Sequence, residues 1–460
     1  MVGIRSPNPS IRKSNVLNLI SKNRLLLAFG ALTAGFTSPG QTFAVSLFIP
    51  FMAKELGLTS AEIGSQYAIA TLMSAAIVPF MGRAYDRWKL THITAFAAIG
   101  LAMGCLILAN TTSAFLLIAG MFLIRLFGQG TLNLISVTTM AKHFVVSRGK
   151  ALSCSGLGIS TAEVILPLFV AWVMAAIGWR GAWTTLSAVV FFFFLPVSLL
   201  MILRLTKNPE SEIRSVEDTS NIQKLKDRLP EISWTSSQVL KDRKFWVLSV
   251  YGLIPACFLT ALFFHQGKIL ESRGVDLIWM AKGLAAFGLF RGVMSLVAGP
   301  VTDKFSAKAM YPFVLLPFAA GLFIFGFVMS PYGFVAYCAL SGLSVAFTAN
   351  TRSSLWPELY GVEHLGSLKG ILTGLGVFST ALGPPVLGYL LDIQFPLELV
   401  FGAAGVVTVI MGFAVQWVLA KTKKAVAQHI PIEISLPSLE KEESEKEVEA
   451  LKRRPPEQSA

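Results

Sequence analysis

Arg125 and Glu163 stand deep inside apolar runs long enough to cross a bilayer, and Arg291 stands in a third such run. An ionised side chain at mid-membrane costs at least about 2.5–3.5 kcal/mol even on the lenient insertion scale. Each of these residues must therefore meet a partner, a water-filled cavity or a solute. Gln129, Asn133 and Ser136 follow Arg125 in the same run. At about 100° per residue the four fall within an arc of roughly 80°, a polar stripe suited to lining an aqueous cavity. Glu163 and Arg125 lie at similar distances from the corresponding ends of their runs. At about 1.5 Å per residue their depths agree within a few Å, which predicts an Arg125–Glu163 pair, either static or proton-coupling. Gln41, in a Pro-Gly break of the first run, and His265-Gln266, near the end of the seventh, are further pocket candidates.

A second set of charges repeats. Gly82-Arg83-Ala84-Tyr85-Asp86-Arg87 and Gly299-Pro300-Val301-Thr302-Asp303-Lys304 both read G-x-x-x-D-[R/K], offset by 303 − 86 = 217 residues. Each copy follows one apolar run and precedes another. A duplicated transporter with parallel repeats has this form. Gly82 and Gly299 would permit close helix approach or a tight turn.

The elements that must position these residues are membrane helices. Of the 460 residues 54% are hydrophobic and only 14% charged, too few charges to cover a soluble protein of this size. The net charge of +13 does not point to nucleic acid, because the basic residues concentrate in alternate loops and a tail. Four cysteines, Cys105, Cys154, Cys257 and Cys338, all lie in apolar runs without ligand spacing, so neither disulfide, metal nor cofactor is expected.

Twelve spans are predicted, near 25–49, 63–82, 91–109, 113–140, 149–174, 180–203, 245–267, 277–300, 310–330, 332–356, 367–391 and 396–420. The even-numbered connections carry Arg83, Arg87, Lys89, Lys142, Arg148, Lys150, Lys304 and Lys308. The odd-numbered ones carry only Lys54, Arg180, Lys268 and Arg273. This alternation places both termini in the cytoplasm. Residues 1–24 are then a basic cytoplasmic tail, 25–203 an N-terminal six-helix bundle and 204–244 a cytoplasmic central loop. Residues 245–420 form a second bundle and 421–460 a disordered cytoplasmic tail rich in Lys and Glu. The segment from Thr235 to Phe245 is expected to form a short helix.

Together these features resemble the major facilitator superfamily over residues 25–420. The two G-x-x-x-D-[R/K] copies match its loop motif, and Arg125-Leu126-Phe127-Gly128-Gln129-Gly130 resembles its second motif. Within the superfamily the likeness is to monocarboxylate-porter-like members. Gly178-Trp179-Arg180-Gly181, Arg291 to Ala298, and Gly383-Pro384-Pro385-Val386-Leu387-Gly388 with Asp392 carry it. Phe263-Phe264-His265-Gln266 and Trp356-Pro357-Glu358-Leu359-Tyr360-Gly361 resemble bacterial facilitators of the same branch. The chain departs from animal monocarboxylate carriers in three places. It lacks their acidic-Gly-Gly-aromatic signature in span one, it has no lysine between the start of that span and Lys54, and Phe287 stands where they carry an aspartate.

The resemblance implies an all-α membrane protein of two pseudo-symmetric six-helix bundles, and a secondary transporter working by alternating access. It implies that Gly82, Asp86, Arg87, Gly299, Asp303 and Lys304 form conformational latches. It also implies that Arg291, with Ser295 one turn away, docks a substrate carboxylate. Arg125, Gln129, Asn133, Gln41, His265 and Gln266 are the other substrate-binding candidates, and Glu163 is the coupling candidate. The expected cargo is a monocarboxylate or similar organic anion, with a proton or ion as the coupled partner and a monomer in the plasma membrane as the working form. An efflux-type facilitator for a neutral or cationic molecule, and a non-transporting sensor with the same fold, are the alternatives. No nucleophile–base pair or nucleotide loop suggests an enzyme.

Overall fold

The computed structural model describes residues 23–144, 148–207, 234–328, 330–361 and 365–428. The basic N-terminal tail, most of the central loop and the C-terminal tail lie outside the described residues. Helices form almost everywhere in the described chain, because a backbone in hydrocarbon must satisfy its N–H and C=O groups within one segment.

The first passage is broken into α1 (Arg24–Gly35), a 3₁₀ turn at Ser38–Gly40, α2 (Thr42–Val45) and α3 (Ile49–Leu56). Pro39 enters the 3₁₀ turn, and Gln41 adopts an extended conformation after it. α4 (Ser60–Arg87) starts at a reciprocal cap, in which Thr59 accepts from Glu62 N–H and the Glu62 carboxylate from Thr59 N–H. α5 (Leu90–Ala109) follows. The fourth passage joins α6 (Ala114–Leu123), a π-helical stretch at Ile124–Leu132 and α7 (Asn133–His143). π-Helical turns are rare and cluster at functional sites; this one carries Arg125 and Gln129.

α8 (Arg148–Ala188) folds back on itself where Ile177 and Gly178 leave helical geometry. Gly178 has φ +71°, which a side chain would disfavour. The returning arm continues through a π-helical stretch at Val189–Phe194 into α9 (Leu195–Lys207). The second half comprises the short α10 (Ser236–Lys241), α11 (Arg243–Ser272), α12 (Leu277–Phe305) and α13 (Ala307–Met310). α14 (Leu316–Phe327), α15 (Pro331–Tyr360), α16 (Leu365–Asp392) and α17 (Leu397–Gln428) complete it. α10 is the helix expected after Thr235, which caps it through Gln238. Among the described residues ten helical stretches are long and apolar enough to span a bilayer, one being the folded-back Ala151–Thr206. With the broken first passage, this is consistent with twelve crossings.

Among the described residues, those up to Val415 form one compact unit, and those from Gln416, the end of α17, a second. Within the first unit α4 packs along α16 and α8 along α12, so both contacts join the two halves of the chain. The end of the bundle holding Arg87 and Lys304 is here the motif end, and the end holding Thr59, Gly178 and Asp392 the far end. Many large apolar side chains, among them Ile165, Trp172, Phe192 and Phe413, lie exposed, as a lipid-facing surface requires.

Candidate functional site

Glu163 on α8 pairs with Arg291 on α12, across the two halves of the chain. The two helices can approach because Gly288 lies against Glu163 and Gly292 against Ser160, where a larger residue would intrude. The Glu163 side chain is 4% exposed and that of Arg291 28%. Glu163 Oε2 is buried and has no hydrogen-bond partner. The expected Arg125–Glu163 pair is thus replaced by an Arg291–Glu163 pair. Similar depth along two helices does not by itself make a pair, because pairing also depends on which face each residue occupies, and Glu163 faces α12.

Arg125 is 2% exposed and takes no carboxylate partner among the described residues. Its Nη1 donates to the Gly40 carbonyl at 3.3 Å, and its guanidinium lies over the Tyr67 ring at 4.9 Å. Its Nε has no partner. This arrangement rests on glycine, since a Cβ at Gly40 would collide with the Ile124 carbonyl of the π-helical stretch. Tyr67 in turn bonds Thr42 at 2.6 Å and packs on Phe264 of the second half at 4.6 Å.

The polar stripe of the fourth passage divides. Gln129 and Asn133 are half-buried, and no side-chain hydrogen bond fixes them among the described residues. Ser136 is fully buried, donates to the Gly30 carbonyl at 2.8 Å and lies 2.5 Å from Ser155 Oγ, so it joins helices and does not line a cavity. Ser295 donates to the carbonyl of Arg291 at 2.7 Å, within its own helix. Gln41 is half-buried.

His265 and Gln266 are buried joints. His265 Nε2 donates to the Pro384 carbonyl at 2.7 Å, and Gln266 Nε2 donates to Ser46 Oγ at 2.8 Å across the halves. Phe287, in the place of the carriers' aspartate, packs edge-on against Phe263 at 5.1 Å. A groove of about 740 Å³ between α1, α8 and the Val189–Phe194 stretch is walled mainly by apolar side chains and includes none of the polar candidates.

The repeated motifs end helices and do not form loops. Asp86 lies in the last turn of α4 and accepts from Lys142 of α7 at 2.8 Å, with both side chains exposed. Neither Gly82 nor Gly299 is needed for a close approach, since a Cβ there would meet only Leu134 at 3.6 Å or Asn350 at 3.9 Å, ordinary contacts. Arg87 ends α4, and Lys304 lies in the last turn of α12 with its Nζ 5.2 Å from the Phe305 ring. The side chain of Asp303 lies outside the described residues.

Several participants escaped the sequence reading. Tyr67 and Phe264 look like ordinary apolar aromatics until the fold brings them together. Arg352 in α15 is a further intramembrane charge and donates to the Gly252 carbonyl at 3.3 Å. Its signal was plain, a charge within an apolar run. Lys268 and Asp392 meet at 3.1 Å although far apart in sequence. The hydrogen bonds by which Ser46, Ser60, Ala61 and Glu163 reach the other half all lie between the Glu163–Arg291 pair and the far end. Toward the motif end Phe80, Leu296 and Phe378 are exposed.

The model of the Major Facilitator Superfamily matches residues 31–290 and 269–456. The chain is 25% identical over 416 residues to the glucose transporter GlcP of Staphylococcus epidermidis, covering 84% of this chain and 91% of that one. Over 355 residues it is 22% identical to human monocarboxylate transporter 14, covering 62% of this chain and 68% of that one. A probable L-galactonate transporter of Escherichia coli is 24% identical over 320 residues, 66% of this chain and 67% of its own. The solved structure of a point mutant of the nucleoside transporter NupG matches with TM-score 0.63 at 14% identity, covering 86% of this chain and 99% of that one. The chain therefore belongs to the Major Facilitator Superfamily, as a multi-pass membrane transporter of small solutes and not an enzyme.

Proposed function

We propose that this transporter carries a small organic anion, most simply a monocarboxylate, held between the halves with its carboxylate on Arg291. The observation that carries the reading is the charge count at mid-membrane. Arg125, Arg291 and Arg352 outnumber the one acid, Glu163, and Glu163 is taken by Arg291. The excess positive charge draws an anion to the site. Guanidinium matches a planar carboxylate bidentately. Arg291 is also the more exposed partner, so an incoming carboxylate can exchange with Glu163 at its guanidinium. Glu163 then needs a proton, because it would otherwise stay ionised and unpaired in a buried site. Proton uptake thereby accompanies anion binding. Arg125 raises the potential of the cavity without touching the cargo.

The alternation of loop charges supports cytoplasmic termini, with the far end facing outward. The latch motifs set the balance between the two orientations, with each six-helix bundle moving as a body in the plasma membrane. A second reading has its own support. Gln129 and Asn133 present amides without a side-chain hydrogen bond among the described residues, and one relative is a glucose transporter, which favours a hydroxylated cargo. A sugar acid would satisfy both sets of groups, and one relative is a probable L-galactonate transporter. Counterflow in proteoliposomes tests this with a panel of monocarboxylates, sugar acids, hexoses and lipophilic cations. Exchange of carboxylates alone is the expected result. Exchange of hexoses or cations with no carboxylate exchange refutes it.

A further inference from the structure

The Gly383–Asp392 stretch of α16 is left unexplained by cargo binding. α16 runs antiparallel to α4 and packs along it from the other half. Asp392, the last residue of α16, accepts from the first N–H groups of α4: Oδ1 from Ser60 N at 3.0 Å and Oδ2 from Ala61 N at 2.7 Å. First-turn N–H groups have no partner within their helix, and a carboxylate there also meets the positive end of the helix dipole. Thr59, the ordinary cap, accepts from Glu62 N and leaves these two free. Lys268 of α11 donates to Asp392 at 3.1 Å and to the Ser60 hydroxyl, closing the cluster.

The rest of the stretch follows the same line. A Cβ at Gly388 would strike the Ser60 carbonyl, and one at Gly64 would press the Pro384 carbonyl. His265 fixes that same carbonyl from α11. Glycine on alternate helices thus brings the two backbones together over the outer turns, and the carboxylate is placed at the end of the seam. At the other end of α4, Asp86 bonds Lys142 within its own half and not α16.

We propose that Asp392 is a gate residue of the far end, a cap supplied in trans that holds the halves closed there and must be released for that end to open. It is distinct from the repeated motif, which lies at the other end of the same helix. The two carboxylates therefore oppose one another in setting the state of the transporter. Because the cap is made of charge-assisted bonds to backbone N–H groups, removing the charge from Asp392 shifts the closed-to-open ratio at the far end by about tenfold.

The test uses the full-length protein in nanodiscs without cargo, with its four cysteines replaced. Spin labels at Asn110 and Ile393, exposed far-end positions on opposite halves, report the separation by double electron–electron resonance. The expected result is one short distance in the parent and a new, longer population in Asp392→Asn. Gly388→Ala keeps the charge but blocks the close approach, and is expected to add the same population. Should Asp392→Asn not yield folded protein, Lys268→Met removes the supporting bond from outside the seam. A parental distance distribution in the folded variants overturns the proposal, whichever cargo the protein carries.

Discussion

Glu163→Gln gives the sharpest view of how anion and proton are linked. In the parent protein a cargo carboxylate reaching Arg291 must break the Glu163 pair. Breaking a buried pair costs about 3–5 kcal/mol, against about 0–1 kcal/mol for an exposed one. Glu163 is buried but Arg291 is 28% exposed, so the low end of the buried range, about 3 kcal/mol, applies. Glutamine still offers Arg291 a neutral hydrogen bond worth about 1 kcal/mol, leaving a net gain near ~2 kcal/mol for the cargo. That corresponds to roughly thirtyfold tighter anion binding in Glu163→Gln. The same change removes the proton that binding takes up. Parent affinity should rise as pH falls, since protonation releases Glu163 from Arg291, whereas the variant should be flat with pH. Calorimetric titration of purified protein at several pH values measures both quantities, and proteoliposomes should retain counterflow while losing uphill accumulation. Weaker binding in Glu163→Gln, or a persisting pH dependence, refutes the exchange.

Other consequences follow from individual contacts. Asp86→Asn removes an exposed pair worth about 0–1 kcal/mol, so thermal stability should hardly change while turnover slows and cargo affinity stays constant; lost affinity at normal turnover would contradict the latch. Gly40→Ala pushes a methyl group into the Ile124 carbonyl and displaces the acceptor of Arg125, at a cost of about 1–3 kcal/mol or more, visible as a lowered melting temperature. Hydrogen bonds from Arg180 hold the Glu55 carboxyl below its usual range, with a bond from Trp179 adding to the effect. Its stabilising contribution is therefore complete above the ordinary glutamate value of about 4.3 and is lost as pH falls through the lowered one. The stability difference between the parent and Glu55→Gln should vanish over that acidic window.

How much of this was legible in the sequence depended on the kind of information required. Apolar runs and the 217-residue repeat are local or periodic signals, and they led to a membrane fold of the right family. Intramembrane charge marked Arg125, Glu163 and Arg291 because lipid makes such residues conspicuous. Partner choice was not readable in the same way. It turned on helix azimuth and on Gly288 and Gly292, which let α8 and α12 meet where Glu163 faces Arg291. Arg125 looked in need of an acid and instead found a backbone carbonyl and an aromatic face, partners with no charge to betray them. His265 and Gln266 are polar because they tie helices together, a role that composition alone does not separate from cargo contact. The meeting of Asp392 with Ser60 is beyond any local pattern, for it joins opposite halves of the chain.

The central claim is that Arg291 receives a carboxylate, and its most direct test is the affinity of purified Arg291 variants for the anion that exchanges best in counterflow. Arg291→Lys keeps the charge but loses the bidentate fork, so binding should weaken markedly. Arg291→Ala should be weaker still, with both proteins folded by size-exclusion and thermal criteria. Unchanged affinity in folded Arg291→Ala would contradict the account and move the cargo site away from the Glu163–Arg291 pair.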